Sequence, residues 1–115
     1  MILMSSGLIR DSESCLLDEK GPFPARILLS KLDAEEMSVK HGVLSVGEEI
    51  DIHCHEEQAQ VEFYPSGKAT LFVEGVGERE IRSGSFMYAP RGVKHGIHSV
   101  SEPLEIVTIF VPALF

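Results

Sequence analysis

The chain has 115 residues, 43% of them hydrophobic, which supports one buried core and therefore one domain. Eighteen acidic against ten basic residues leave a formal charge of -8. That balance excludes the clustered Lys and Arg of a nucleic-acid footprint or an anionic-membrane contact, and leaves a small molecule or a protein as the partner. Two cysteines, Cys15 and Cys54, are too few for a disulfide framework or a four-cysteine zinc site.

Taken in chain order, the opening "MILMSSGLIR" carries a short apolar run with no basic residue ahead of it, too short for the apolar region of a leader. No later run approaches the roughly 18 apolar residues of a membrane span. With the low cysteine count, the expectation is a cytoplasmic protein. Residues 1–25 are irregular and read as an N-terminal arm, whose end "KGPFPAR" is extended and either joins the sheet late or covers an edge. Residues 26–115 read as a single β domain. It is built from "ARILLSKL", "VKHGVLSV", "EIDIHCH", "QVEFY", "KATLFVEG", "EREIR", "SFMYAP", "HGIHSV" and "LEIVTIFV", pieces rich in Val, Ile, Phe and Thr and separated by Gly, Pro and Ser. Strand-like segments at that regular spacing indicate an all-β sandwich or barrel. The stretch "LDAEEM", residues 32–37, has helix formers but is too short to stand alone, and reads as a turn. The final strand is apolar on both faces, which places it inside the barrel or in a dimer contact rather than at an open edge.

Chemistry concentrates in three places. On a strand through residues 50–55, alternation sends His53 and His55 to one face and turns Cys54 to the other, where it reads as a small apolar filler rather than part of a Cys/His zinc cluster. A second strand beginning at Gln60 sends Gln60, Glu62 and Tyr64 to one face, which the histidines share if the strands are neighbours. Further on, Pro90 and Gly92 of "GSFMYAPRGVKHGIHS" make a turn, and His95 opens the next strand as a third imidazole. Arg91 and Lys94 in that turn are solvated or steer an anion. His41 and His98 fall on the surface or the rim, and Glu56-Glu57 on a loop.

These residues resemble the two motifs of the cupin family. The first motif is Gly, five residues, His-x-His, three or four residues, Glu, six residues and Gly, met here by Gly47, His53, His55, Gln60 and Gly67. The second is Gly, five residues, Pro-x-Gly, two residues, His, three residues and Asn, met here by Gly84, Pro90, Gly92, His95 and Ser99. The resemblance implies an antiparallel double-stranded β-helix, or jelly-roll barrel, holding one divalent transition metal ion (Fe, Mn, Zn or Ni), in a homodimer. Carried over by position, His53, His55 and His95 match the metal-binding histidines, and Gln60 stands where the family has Glu. A neutral amide in place of a carboxylate leaves the ion its full charge, so the site binds metal less tightly but is a stronger Lewis acid and attracts an anionic ligand. Glu62 occupies a position that is usually apolar in the family, and is either a base or a coordinating group reached by a local shift. Ser99 in the Asn position reads as structural.

Two kinds of function fit these residues. The first is an enzyme acting on a small, oxygen-rich anionic molecule, a carboxylate or sugar acid, by dioxygenation if the ion is iron and by isomerisation, epimerisation or elimination if it is not. Glu62 is then the catalytic base, with Tyr64 second. The rival is a non-enzymatic cupin that binds or senses a small ligand; because the chain ends with the barrel, any link to DNA is expected to pass through another protein.

Overall fold

The alternating apolar and polar residues of the strand pieces become paired strands in a computed structural model, which describes residues 6–115. The short apolar run of residues 1–4 lies outside the described residues. The strands are β1 (Leu17–Asp18), β2 (Ala25–Leu29), β3 (Ser38–Leu44), β4 (Ile50–His53), β5 (Ala59–Tyr64), β6 (Lys68–Val73), β7 (Gly77–Arg82), β8 (Ser85–Ala89), β9 (His95–Glu102) and β10 (Leu104–Val111). All pairings are antiparallel. One sheet runs in the order β1-β2-β3-β10-β5-β8 and the other β4-β9-β6-β7. The two close over one core as the antiparallel jelly-roll barrel expected from the motifs. No described helix is long and apolar enough to cross a membrane.

β2 to β10 correspond to the nine predicted pieces, and "LDAEEM" forms turns. The arm contributes more than an extended lead-in: β1 pairs with β2, and Phe23 and Ala25 are buried with the core. Arg10 forks onto both carboxylate oxygens of Asp33, at 2.8 and 2.9 Å, and also donates to the Leu28 carbonyl. That guanidinium, with the Ser30 backbone N–H, holds the Asp33 carboxyl well below the usual carboxylate range.

β10 is apolar on both faces because it is a central strand, flanked by β3 and β5. Leu104, Ile106, Thr108 and Phe110 all point inward and are buried. Leu104 and Ile106 pack with Leu44, Tyr64, Leu71, Ile81 and Ile97 from both sheets, and each large apolar side chain so buried contributes about 1.5–3 kcal/mol. The motif glycine Gly67 has a physical reason. It sits at φ +105, and a Cβ there would lie 2.3 Å from the Pro103 carbonyl oxygen, so only glycine lets the β5–β6 turn press against the β9–β10 turn. That contact fixes β10 beside β5, which matters for the site.

Candidate metal centre

His53 closes β4 directly opposite His95, which opens β9, so the two imidazoles face one another across the ladder with ring centroids 4.5 Å apart. β4 stops at His53, two residues short of the predicted strand. His55 reaches the same point by another route: its carbonyl accepts a hydrogen bond from the Gly92 N–H at 2.8 Å, which ties the first motif to the turn of the second. Its ring stands 5.1 Å from that of His53, 6.0 Å from that of His95, and edge-on to Phe110. Candidate ligand nitrogens of the three histidines all lie within 4.8 Å of one another. Ligand atoms bound at about 2.0–2.1 Å to one ion sit some 3–4 Å apart, so small ring rotations close the cluster.

The hydrogen bonds orient these rings. Nδ1 of His53 faces the Asp51 carbonyl at 2.8 Å, and Nδ1 of His95 faces the Val93 carbonyl at 3.0 Å. Carbonyls only accept, so both Nδ1 atoms carry the hydrogen and each Nε2 presents a lone pair. On His95 that lone pair meets Gln60 Oε1 at 2.7 Å, a contact between two acceptors that a proton or a metal ion beside them would satisfy. Burial pushes the His95 pKa down, against the Val93 hydrogen bond, and the neighbouring His53 adds to the fall. Burial, then the charges of His53, His95 and Lys40, does the same to His55. Three imidazole nitrogens beside an amide oxygen are a donor set that suits a divalent ion.

Gln60 is aimed by Glu62. Along β5 the alternation turns Gln60, Glu62 and Tyr64 inward, all buried. The Gln60 amide nitrogen donates to Glu62 Oε2 at 3.0 Å, which leaves the amide oxygen facing His95. Glu62 lies opposite Thr108 in the β5–β10 register, and the Thr108 hydroxyl donates to the same Oε2 at 2.8 Å. The Tyr64 hydroxyl donates to Oε1 at 2.6 Å. Burial raises the Glu62 pKa while the three donors pull it back, and burial with the Glu62 charge raises Tyr64 far above a free phenol.

The structure thus brings His53, His55, Gln60 and His95 together. Glu62 stands one side chain deeper, and Tyr64 behind Glu62, away from the cavity wall. Cys54 lies outside the cluster with its thiol toward Glu56. His41 pairs with Glu105 and His98 with Glu78, both away from the centre. Arg91 and Lys94 do not line the cavity over the histidines; Lys40 does. The sequence motifs did not point to Thr108. Its signal was its place as the one hydroxyl among the apolar inward residues of β10.

A cavity of about 590 Å³ opens over the cluster, within the range of small-molecule sites. Phe23, Ile50, Ile97, Phe110 and Leu114 supply apolar wall; among the described lining residues Lys40 is the one Lys or Arg, and Glu49, Asp51 and Glu62 are the carboxylates.

Residues 40–110 match the family described as Cupin domain. A curated relative, the uncharacterised protein SCO3923 of Streptomyces coelicolor, is 38% identical over 55 residues. That match takes in 48% of this chain and 51% of the relative, so the chain spans about half the length of the curated relative it matches. Solved structures of the same fold include ectoine synthase from P. lautus (TM-score 0.82, 17% identity, 94% of this chain and 80% of that one). KdgF from Halomonas sp. superposes with a TM-score of 0.78 at 17% identity, over 90% of this chain and 94% of that one. An RmlC-like cupin from Shewanella frigidimarina gives 0.78 at 21% identity, over 94% and 93%.

Proposed function

The chain belongs to the cupin domain family, and from that premise we propose that it is a metal-dependent enzyme acting on a small, oxygen-rich anionic molecule. The observation that carries this reading is the convergence of three imidazoles with the Gln60 amide oxygen, 2.7 Å from His95 Nε2, at the wall of a small-molecule cavity. His53, His55, His95 and Gln60 would hold the ion. When bound, a divalent iron, manganese, zinc or nickel ion supplies Lewis acidity that polarises a carbonyl or enediol. The four ligands are all neutral, so they leave the ion's charge for an anionic substrate. The apolar wall displaces water from that substrate and strengthens the attraction. Isomerisation, epimerisation and elimination fit such a site, and dioxygenation fits if the ion is iron.

Glu62 has two roles open to it here. As a base it would take a proton from substrate; as a positioning residue it turns the Gln60 oxygen toward the metal. Three hydrogen bonds already meet its two oxygens, which favours positioning, with Tyr64 and Thr108 holding Glu62 in turn. The same saturation favours a second reading, a binding or sensing cupin without chemistry.

One experiment separates these. Protein loaded in turn with each metal is incubated in D₂O with a panel of hydroxy acids and uronic acids, and followed by proton NMR and oxygen uptake. The enzyme reading expects metal-dependent exchange, rearrangement or oxygen consumption for at least one acid. A base role for Glu62 expects Glu62→Gln to lose turnover at unchanged metal affinity, whereas positioning expects metal affinity to fall as well. Ligand line broadening with no reaction across the panel leaves the binding module.

A further inference from the structure

Strand alternation turns Ser38, Lys40, Gly42 and Leu44 of β3 toward the interior, and Ser38 and Leu44 are fully buried there. Lys40 is therefore an inward lysine, paired in register with Thr108 of β10 on one side and Ile27 of β2 on the other. It stands one strand from the Glu62–Thr108 hydrogen bond. Its ammonium lies over the Phe115 ring, 5.1 Å from the centroid, and close to the arm, where a Cβ on Gly21 would come within 3.2 Å of Nζ. No ion pair among the described residues includes it, although the chain carries a formal charge of -8. A lysine turned into a cavity normally finds a carboxylate or escapes to water. This one is held over an aromatic face, beside Gly21, and its side chain lines the cavity.

We propose that Lys40 is the anchor for a carboxylate of the ligand, so that the molecule bound here is an acid with metal-binding oxygens at one end and a second, distal carboxylate at the other. This rests on the reading that His53, His55, His95 and Gln60 hold a metal ion. Lys40 supplies a charge-assisted hydrogen bond to the distal group, in a cavity whose metal ligands are neutral and whose wall is otherwise apolar apart from Thr108 and the carboxylates of Glu49, Asp51 and Glu62.

The test uses cobalt(II)-loaded protein and three probes with the same α-hydroxy-carboxylate head: lactate, malate and 2-hydroxyglutarate. The last two add a distal carboxylate at increasing reach. Calorimetry is expected to show the native protein binding at least one diacid about 10-fold or more tighter than lactate. Lys40→Met abolishes that preference without changing lactate affinity, the cobalt spectrum or the thermal midpoint, and Lys40→Arg keeps part of it. A Lys40→Met protein that retains the preference, or a native protein that shows none for either diacid, overturns the assignment of Lys40 and leaves the metal site standing. Failure of the native protein to take up cobalt at all is seen separately in the visible spectrum, and removes the metal reading together with the anchor built on it.

Discussion

Alanine in place of His53 or His95 is expected to lower divalent-metal affinity by more than about 100-fold, a larger loss than the 10–100-fold typical of residues that only support a ligand. The two rings face each other across the β4–β9 ladder, and each has its Nδ1 turned to a backbone carbonyl, which leaves Nε2 for the ion, on His95 beside the Gln60 oxygen. Removing either leaves two imidazoles and a neutral amide, too few donors to dehydrate a divalent ion firmly. Titration of metal-free protein with zinc against a chromophoric chelator measures the change. Equal affinity in native protein and either variant would show that the cluster is not the binding site.

The second large effect concerns the exchange of Gln for Glu in the first motif. Gln60→Glu restores the residue usual in the family, yet here it sets a carboxylate about where an amide donates to Glu62 Oε2 at 3.0 Å. One hydrogen bond to a buried charge is lost and two like charges come together, so the metal-free variant should lose about 3 kcal/mol of stability. Lowering the pH recovers part of this, because a proton shared between the two carboxyls replaces the lost donor. Gln60→Glu combined with Glu62→Gln transposes the charge and should recover most of the stability, since the amide nitrogen at 62 can donate to its neighbour and to the Thr108 hydroxyl oxygen while the amide oxygen accepts from Tyr64. Urea unfolding in the presence of a chelator reads both. A single variant as stable as native protein would mean that Glu62 is not what aims the Gln60 amide.

Local pattern carries far in this chain and stops at a definite place. The barrel was legible because each strand from β2 to β10 is a run rich in Val, Ile, Phe and Thr bounded by turn residues, and the histidines were legible because motif spacing places them at strand ends that must meet. The face of Gln60, Glu62 and Tyr64 followed from strand parity. What parity does not give is the identity of the neighbour across the sheet. Thr108 meets Glu62 only because β10 returns from far along the chain to pair with β5, and that pairing turns Glu62 from a free inward carboxylate into one held by three donors. It also places Tyr64 behind Glu62 rather than on the wall. His55 arrived by a loop tied to Gly92, not by strand continuation, because β4 ends at His53 and its register with β9 shifts just before. Arg91 and Lys94, solvated or anion-steering by the sequence, stay off the cavity wall, and the inward cation comes from β3, whose interior face is defined by β2 and β10 on either side.

On the proposed reading the Gln60 oxygen, aimed by Glu62, completes a metal centre with His53, His55 and His95. Crystals of metal-loaded protein, with anomalous differences collected on both sides of the absorption edge of the bound ion, test it most directly. One peak is expected per chain, within about 2.0–2.2 Å of a nitrogen of each histidine and in contact with Gln60 Oε1. A peak elsewhere, or one that the three histidines share while the amide nitrogen of Gln60 faces it, would contradict the account.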